Sequence, residues 1–181
     1  MASNVLGALT PRAREIVQTA RRLLEEEGPA ALSMRRLGDR IGMRAPSLYE
    51  HVRDKRALEA ALISMGFEEQ AELFSRAIHQ SEDPLVSLAA AYREFARRQP
   101  HLYRLMTERP LHRELLAPGV EDAAALPVLR AMGGDLGRTR ALWAFAHGMV
   151  ILELNQRFPE DADLDDTWRK GIEAFRTMRP A

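Results

Sequence analysis

Apolar residues recur along this chain at three- and four-residue spacing and almost nowhere in alternation. Ile16, Val17, Ala20, Leu23 and Leu24 form one stripe, and Leu85, Leu88, Ala89, Tyr92, Phe95 and Ala96 form the clearest one. Both have the period of an α-helix with one face turned inward. No run of alternating β-branched and aromatic residues predicts a sheet. The pattern therefore predicts an all-α protein of roughly nine helices.

Caps and breakers place the ends. Thr10-Pro11 is an N-cap followed by proline at the first helical position, and Gly28-Pro29 stops the helix that begins there. The acidic run Glu25-Glu26-Glu27 near that stop reads as a solvated end, since the macrodipole disfavours negative charge there. Ser33 caps a second helix carrying Leu37 and Ile41, and Gly42 ends it. A third begins between Arg44 and Pro46 and is expected to run through Val52. Asp54 caps a long fourth helix, Lys55 to His79, with Leu58, Leu62, Met65, Leu73 and Ile78 among its apolar positions. Ser81 to Pro84 opens the helix of the clearest stripe. Pro100 and Pro110 then bracket a short helix with Leu102, Tyr103, Leu105 and Met106. Between Leu111 and Gly137 the pattern is interrupted by Pro118, Gly119, Pro127 and Gly133-Gly134, which predicts one or two broken helices. Two more follow, Arg138 to Arg157 and Asp165 to Met178. The module boundary is expected inside the fourth helix near Met65-Gly66, dividing the chain into 1–63 and 64–181.

Composition narrows the function. Hydrophobic residues at 46% and charged residues at 29% describe a soluble globular chain. No apolar run approaches the roughly 18 residues of a membrane span, and the N-terminus lacks the charged-then-apolar pattern of a secretory signal. A cytoplasmic protein with no membrane partner is expected. The absence of cysteine excludes disulfides, thiolate metal sites and cysteine nucleophiles. The five histidines show no His-Glu-x-x-His spacing, no Gly-x-Ser-x-Gly elbow occurs, and Gly133-Gly134 with Gly137 has no preceding strand. Neither catalysis nor a cofactor or metal is expected.

Charge is balanced overall at 26 basic and 26 acidic residues but unevenly spread. Residues 1–56 hold 11 basic against 7 acidic side chains, and the remainder 15 against 19. An anion-facing head is expected at the N-terminal end.

Residues 42–52, GMRAPSLYEHV, give that head its chemistry. A few residues containing glycine join the second and third helices, the composition of a helix-turn-helix, and Gly38 and Gly42 fall where the two backbones would approach. Leu37, Ile41, Leu48 and Val52 can close a small core on Ile16, Ala20 and Leu23, leaving Arg44, Ala45, Ser47, Tyr49, Glu50 and His51 outward. A third helix of about ten residues would be a rod of about 15 Å, able to enter a major groove about 12 Å wide. Ser33, with free backbone N–H groups behind it, forms a phosphate site, and Arg35, Arg36, Tyr49, His51 and Lys55 can hold further phosphates.

The run LSMRRLGDRIGMRAPSLYEHVRDKRALEAALI, residues 32–63, resembles the DNA-binding head of TetR-type repressors (the TetR/AcrR family). The likeness is strongest in PSLYEHVRDKRAL and covers roughly residues 10–63. It implies phosphate or sugar contacts by Ser33, Arg35, Ser47, Tyr49, His51 and Lys55, and base reading by Arg44, Ala45 and Pro46. Two positions depart from the family. Glu50 stands where an aromatic or neutral group is common, and Met34 replaces a common threonine. Further on, LWAFAHGMVILELNQRF resembles the Trp-His-Gly signature of one subgroup of C-terminal domains, here Trp143, His147 and Gly148.

The resemblance implies a helical body that binds a small molecule and dimerises. The helix from Arg138 carries Leu142, Phe145, Ala146, Met149 and Leu152 on one flank and Trp143, Val150, Leu154 and Phe158 on another. A helix so apolar is buried on two sides, by its own core and by a second copy. Met149, Leu152, Trp168, Ile172 and Phe175 are the expected contacts of a four-helix homodimer interface, with Gly148 permitting close approach. A pocket for a small apolar effector is expected among Met65, Phe67, Phe74, Tyr92, Phe95, Tyr103, Met106, Trp143 and His147. These expectations describe a homodimeric repressor that grips a near-palindromic double-stranded operator through the major groove and lets go when its ligand binds. A DNA-binding dimer governed by a protein partner, or by no ligand, is the alternative.

Overall fold

Side chains of Thr10, Ser33, Asp54 and Asp83 cap four helices where the sequence places their starts. The computed structural model describes residues 5–177, with the side chains of Ala45 and Thr177 excepted. Met178, expected to close the last stripe, lies outside the described residues. Among those residues there are ten α-helices, one 3-10 turn and no strand. The chain divides into two compact units, one of residues 1–69 and 99–123, the other of 70–98 and 124–181. Among the described residues no helix is long and apolar enough to cross a membrane.

The first unit opens with a turn of helix that the pattern does not predict, α1 (Val5–Ala8), whose Val5 N–H donates to Glu68 at 2.6 Å. In α2 (Pro11–Glu27) the Thr10 hydroxyl accepts from the N–H of Ala13 at 3.2 Å, and Gly28 closes the far end at φ +78°. Its stripe of Ile16, Val17, Ala20, Leu23 and Leu24 is buried as predicted. Against it pack α3 (Met34–Ile41) and α7 (Pro100–Thr107), and α3 packs on α4 (Ala45–Tyr49). Leu37 and Leu48 are fully buried and Val52 nearly so, so the small core expected at the head is present.

Glu25 does not behave as a solvated end. Its carboxylate accepts from the N–H of Leu102 at 2.8 Å and so serves the first turn of α7, whose own N-cap residue Gln99 makes no side-chain cap bond. The macrodipole supplies the reason: a carboxylate disfavoured at the end of its own helix is favoured at the start of another. On α7, Leu102, Tyr103, Leu105 and Met106 are buried. The long helix α5 (Lys55–His79) begins at Asp54, whose Oδ1 accepts from the N–H of Ala57 at 2.8 Å. A Cβ on its Gly66 would strike the Met106 sulfur, so glycine lets α7 lie close. Buried Ser64 is satisfied twice, donating to the carbonyl of Ala60 and accepting from the N–H of Ala117.

The second unit is built on α6 (Pro84–Arg98), α9 (Leu136–Leu154) and α10 (Leu164–Thr177), each packed on the other two. The inward stripe of α6 is Leu88, Ala89, Tyr92, Phe95 and Ala96, and Phe74 stacks on Tyr92 at 6.0 Å. From α9, Leu142, Ala146, Met149 and Val150 are buried. Phe145 meets Trp168 edge-on at 5.6 Å and Phe175 at 5.8 Å. Gly171 makes that contact possible, because a Cβ there would overlap the Phe145 ring. Gly148, expected to permit a close approach between subunits, has no atom of its own chain within 4 Å of where its Cβ would stand. Glu153 ties the three helices, accepting from Arg93 at 2.9 Å and from the Trp168 indole N–H at 2.5 Å.

Between Leu111 and Gly137 the structure shows a 3-10 turn (Arg113–Leu115) and α8 (Val120–Ala131). The backbone keeps its helical path through Pro127, giving up only the bond that residue's missing N–H would have made. Gly133 and Gly134, at φ +68° and +85°, then end the helix.

Candidate nucleic-acid interface

The helix-turn-helix is α3, a turn, and α4. Ser33 caps α3, its hydroxyl accepting from the N–H of Arg36 at 3.3 Å, and the residue is only half-buried, open to an outside partner. Gly42 ends α3 in the left-handed region at φ +68°, with its N–H on the carbonyl of Gly38. Nothing lies within 4 Å of its would-be Cβ, so the demand for glycine comes from the backbone angle alone.

The third helix is shorter than its sequence suggests. It covers Ala45–Tyr49, and Arg44 precedes it in an extended conformation as N-cap. Five residues make a rod of about 7.5 Å, half of the expected length. Beyond Tyr49 the N–H groups of His51 and Val52 both reach back to Leu48, which tightens the chain. The cause is downstream: Val52 must enter the core while Asp54 caps α5, so the backbone turns within four residues. Asp54 is held below the usual carboxylate range by the Ala57 N–H and by Arg53, which keeps it charged at that start.

Buried Leu37, Leu48 and Val52 fix one side of this unit, and the opposite side presents the sequence-predicted residues. Arg35, Arg44, Pro46, His51 and Lys55 are exposed, Ser47 is half-buried, and Tyr49 is 50% exposed, an amphipathic ring held out from a packed helix. The side chain of Ala45 lies outside the described residues. Arg35 and Arg44 make no ion pair among the described residues, while Lys55 stands 3.7 Å from Glu59. Arg36 differs from the rest. Its guanidinium is taken by Glu27, and Arg40 bridges Glu26 and Glu27 at 2.8 Å to each. The acidic run thus binds the outer face of α3 to α2, a role legible only in the spacing of Arg36 and Arg40 one turn apart. Glu50 is exposed beside Tyr49.

The residues expected at a ligand pocket are spread over both units. Tyr103 and Met106 are buried and Met65 and Phe67 half-buried in the first; Phe74, Tyr92 and Phe95 are buried in the second. His147 stacks against Trp143 at 6.0 Å, and Trp143 is 53% exposed. Of the residues expected between subunits, Met149, Trp168 and Ile172 are buried in the second unit's own core, Phe175 is half-buried and Leu152 is exposed. Among the described residues no cluster of His, Asp or Glu is placed to hold a metal ion.

A short capped helix pair, packed on a third helix and presenting cations and an outward tyrosine, defines a DNA-binding transcriptional regulator of the helix-turn-helix class. Comparison with known proteins agrees. Residues 16–62 match the family described as bacterial regulatory proteins, tetR family, and residues 85–175, half of the chain, match the tetracyclin repressor-like C-terminal domain. The chain belongs to the TetR family. It is 29% identical over 160 residues to the HTH-type transcriptional regulator Rv0681 of Mycobacterium tuberculosis, covering 83% of this chain and 73% of that one. It is 24% identical over 170 residues to the HTH-type regulator YobS of Bacillus subtilis, at 88% of each. The crystal structure of the multidrug binding protein EbrR complexed with imidazole shares the fold at TM-score 0.69 and 23% identity, over 95% of this chain and 93% of that one.

Proposed function

We propose that the protein is a cytoplasmic, homodimeric repressor whose two heads insert α4 into successive major grooves of a near-palindromic operator. Residues 1–63 make the DNA contacts, and residues 64–181 dimerise and bind a small effector that releases the DNA. The observation that carries the reading is the exposed face of Arg35, Arg44, Tyr49, His51 and Lys55 around buried Leu37, Leu48 and Val52. On it, Ser33, Ser47, Tyr49, His51 and Lys55 hold phosphates, and Arg44 and Pro46 sit against base edges. A five-residue α4 suits this role because only the start of a recognition helix needs to reach the bases.

Two further features support the body's part. Leu136 and Trp143 of α9, seven residues apart and so on one face, are exposed, leaving apolar surface for a second copy. Trp143, His147 and Gly148 keep the spacing of the Trp-His-Gly subgroup. Release needs little energy: a coupling of about 1.4 kcal/mol weakens operator binding about tenfold. The test is selection of bound duplexes from random DNA by the full-length protein. The expected product is one enriched motif with two inverted half-sites whose centres lie about one helical turn or slightly more apart. Recovery of unenriched sequence, or of a single half-site bound by monomer, overturns the reading.

A further inference from the structure

The first unit contains a cavity of about 220 Å³ lined by the opening turns of α5 and by the end of α7 with the segment after it. Its floor is apolar: Ala60 and Ile63 from α5, with Leu105, Leu111 and Leu116 across from them. Ala60 and Leu105 are buried, so the floor is part of the packed structure. A dry apolar cavity of about 150 Å³ holds a benzene ring. This one has room for such a ring, or a chain of similar bulk, and one small polar group besides. It is smaller than the range of about 300 to 1,000 Å³ that takes drug-sized ligands.

The rim decides what that polar group is. Arg56, Arg109 and His112 stand there with one carboxylate, Glu59. Glu59 lies 3.7 Å from Arg109 and 3.7 Å from Lys55, beyond hydrogen-bond length to either, so it saturates neither cation. Arg56 makes no ion pair among the described residues, and His112 leans on Glu114 at 3.3 Å. Two guanidinium groups line the cavity against one carboxylate, which Arg109 shares with Lys55, and this leaves a net positive rim. A guanidinium offers paired donors that match a carboxylate.

We infer that this cavity binds a small amphipathic carboxylate, an aryl or short acyl acid, with its apolar part on Ile63, Leu105 and Leu111 and its carboxylate on Arg109 and Arg56. Resting on the ligand-released reading above, but with a site that takes in residues 56–63 as well as part of the 64–181 body, the same occupancy weakens DNA binding. A carboxylate that takes Arg109 leaves Glu59 to Lys55 alone, one turn away on α5. Lys55 then meets a protein carboxylate where it would meet a phosphate.

Calorimetric titration of the full chain with benzoate and with hexanoate, and with benzamide as the neutral match, tests the site. At least one acid binds saturably at one per chain. Benzamide, and benzoate on Arg109→Gln, bind about tenfold more weakly or worse, a loss of about 1.4 kcal/mol. Arg109 is 64% exposed, so the variant is expected to fold, which its melting curve verifies. If neither acid saturates, or if benzamide or the variant matches benzoate on the wild type, the site is refuted. Anisotropy of a selected duplex in the same samples separates the two ideas. Acid binding without loss of DNA affinity refutes the effector role at this cavity while its ligand class stands. DNA release by another compound, with both acids inert, refutes the cavity and leaves ligand release intact.

Discussion

Single side chains at the head divide by what they touch. Lys55 and Arg35 are exposed at helix starts, and in the proposed complex they face backbone phosphate, so Lys55→Ala or Arg35→Ala should weaken every duplex alike and lower the salt slope by about one. Arg44 precedes α4, and in the proposed complex base edges come within its reach; Arg44→Ala should change which bases are preferred at a cost of about 1 to 3 kcal/mol on the best site. Anisotropy titrations over several salt concentrations and several duplexes measure both, and equal losses on all sequences from both classes would remove the distinction. Gly171 is a position of another kind. Its missing Cβ is the space that the Phe145 ring fills, and an aromatic ring cannot fold aside as a methionine tail can. Gly171→Ala should therefore cost about 1 to 3 kcal/mol of stability, read as a lower midpoint in denaturant at unchanged slope.

Elements show where the pattern could and could not be read. The stripes of α2 and α6 were legible because a one-sided helix repeats its apolar positions, and Thr10, Ser33, Asp54 and Asp83 cap the helices they precede. The shortness of α4 was not. It follows from Val52 turning inward ahead of the Asp54 cap, a tertiary demand on a segment whose residues would tolerate another turn of helix. Pro127 misled in the opposite direction, since its φ is compatible with a helix that can spare one bond. A pH dependence belongs at this scale. Asp83, at the start of α6, pairs with Arg176 of α10, whose hydrogen bond holds the carboxyl below its usual range, helped by the N–H of Val86. A carboxyl with a depressed folded-state pKa stabilises above its unfolded pKa and loses that contribution as pH falls. The melting temperature of the wild type should thus drop below about pH 5 more steeply than that of Asp83→Asn. Parallel curves would show that the pair contributes nothing in solution.

For the molecule as a whole, sequence pattern reached the class and the exposed face of the head but not the grouping of helices. Arg35, Tyr49 and His51 were readable as exposed positions because the small core of a helix-turn-helix is closed by a few apolar residues within one short segment. The companions of a body residue are set by contacts far along the chain. Trp168 and Ile172 look alike as apolar positions whether they meet their own core or a second copy; here they meet their own. The bond from Leu102 to Glu25 is the sharpest instance, joining residues 77 apart within one unit. It bears on any attempt to excise the head. A fragment stopping at residue 69 keeps Glu25 and the α2 surface beneath α7 but loses the helix that covers them. It should give poorly dispersed amide resonances and melt without a sharp transition. Appending residues 99–123 through a flexible tether should restore both, making the smallest autonomous DNA reader a spliced polypeptide instead of an N-terminal truncation.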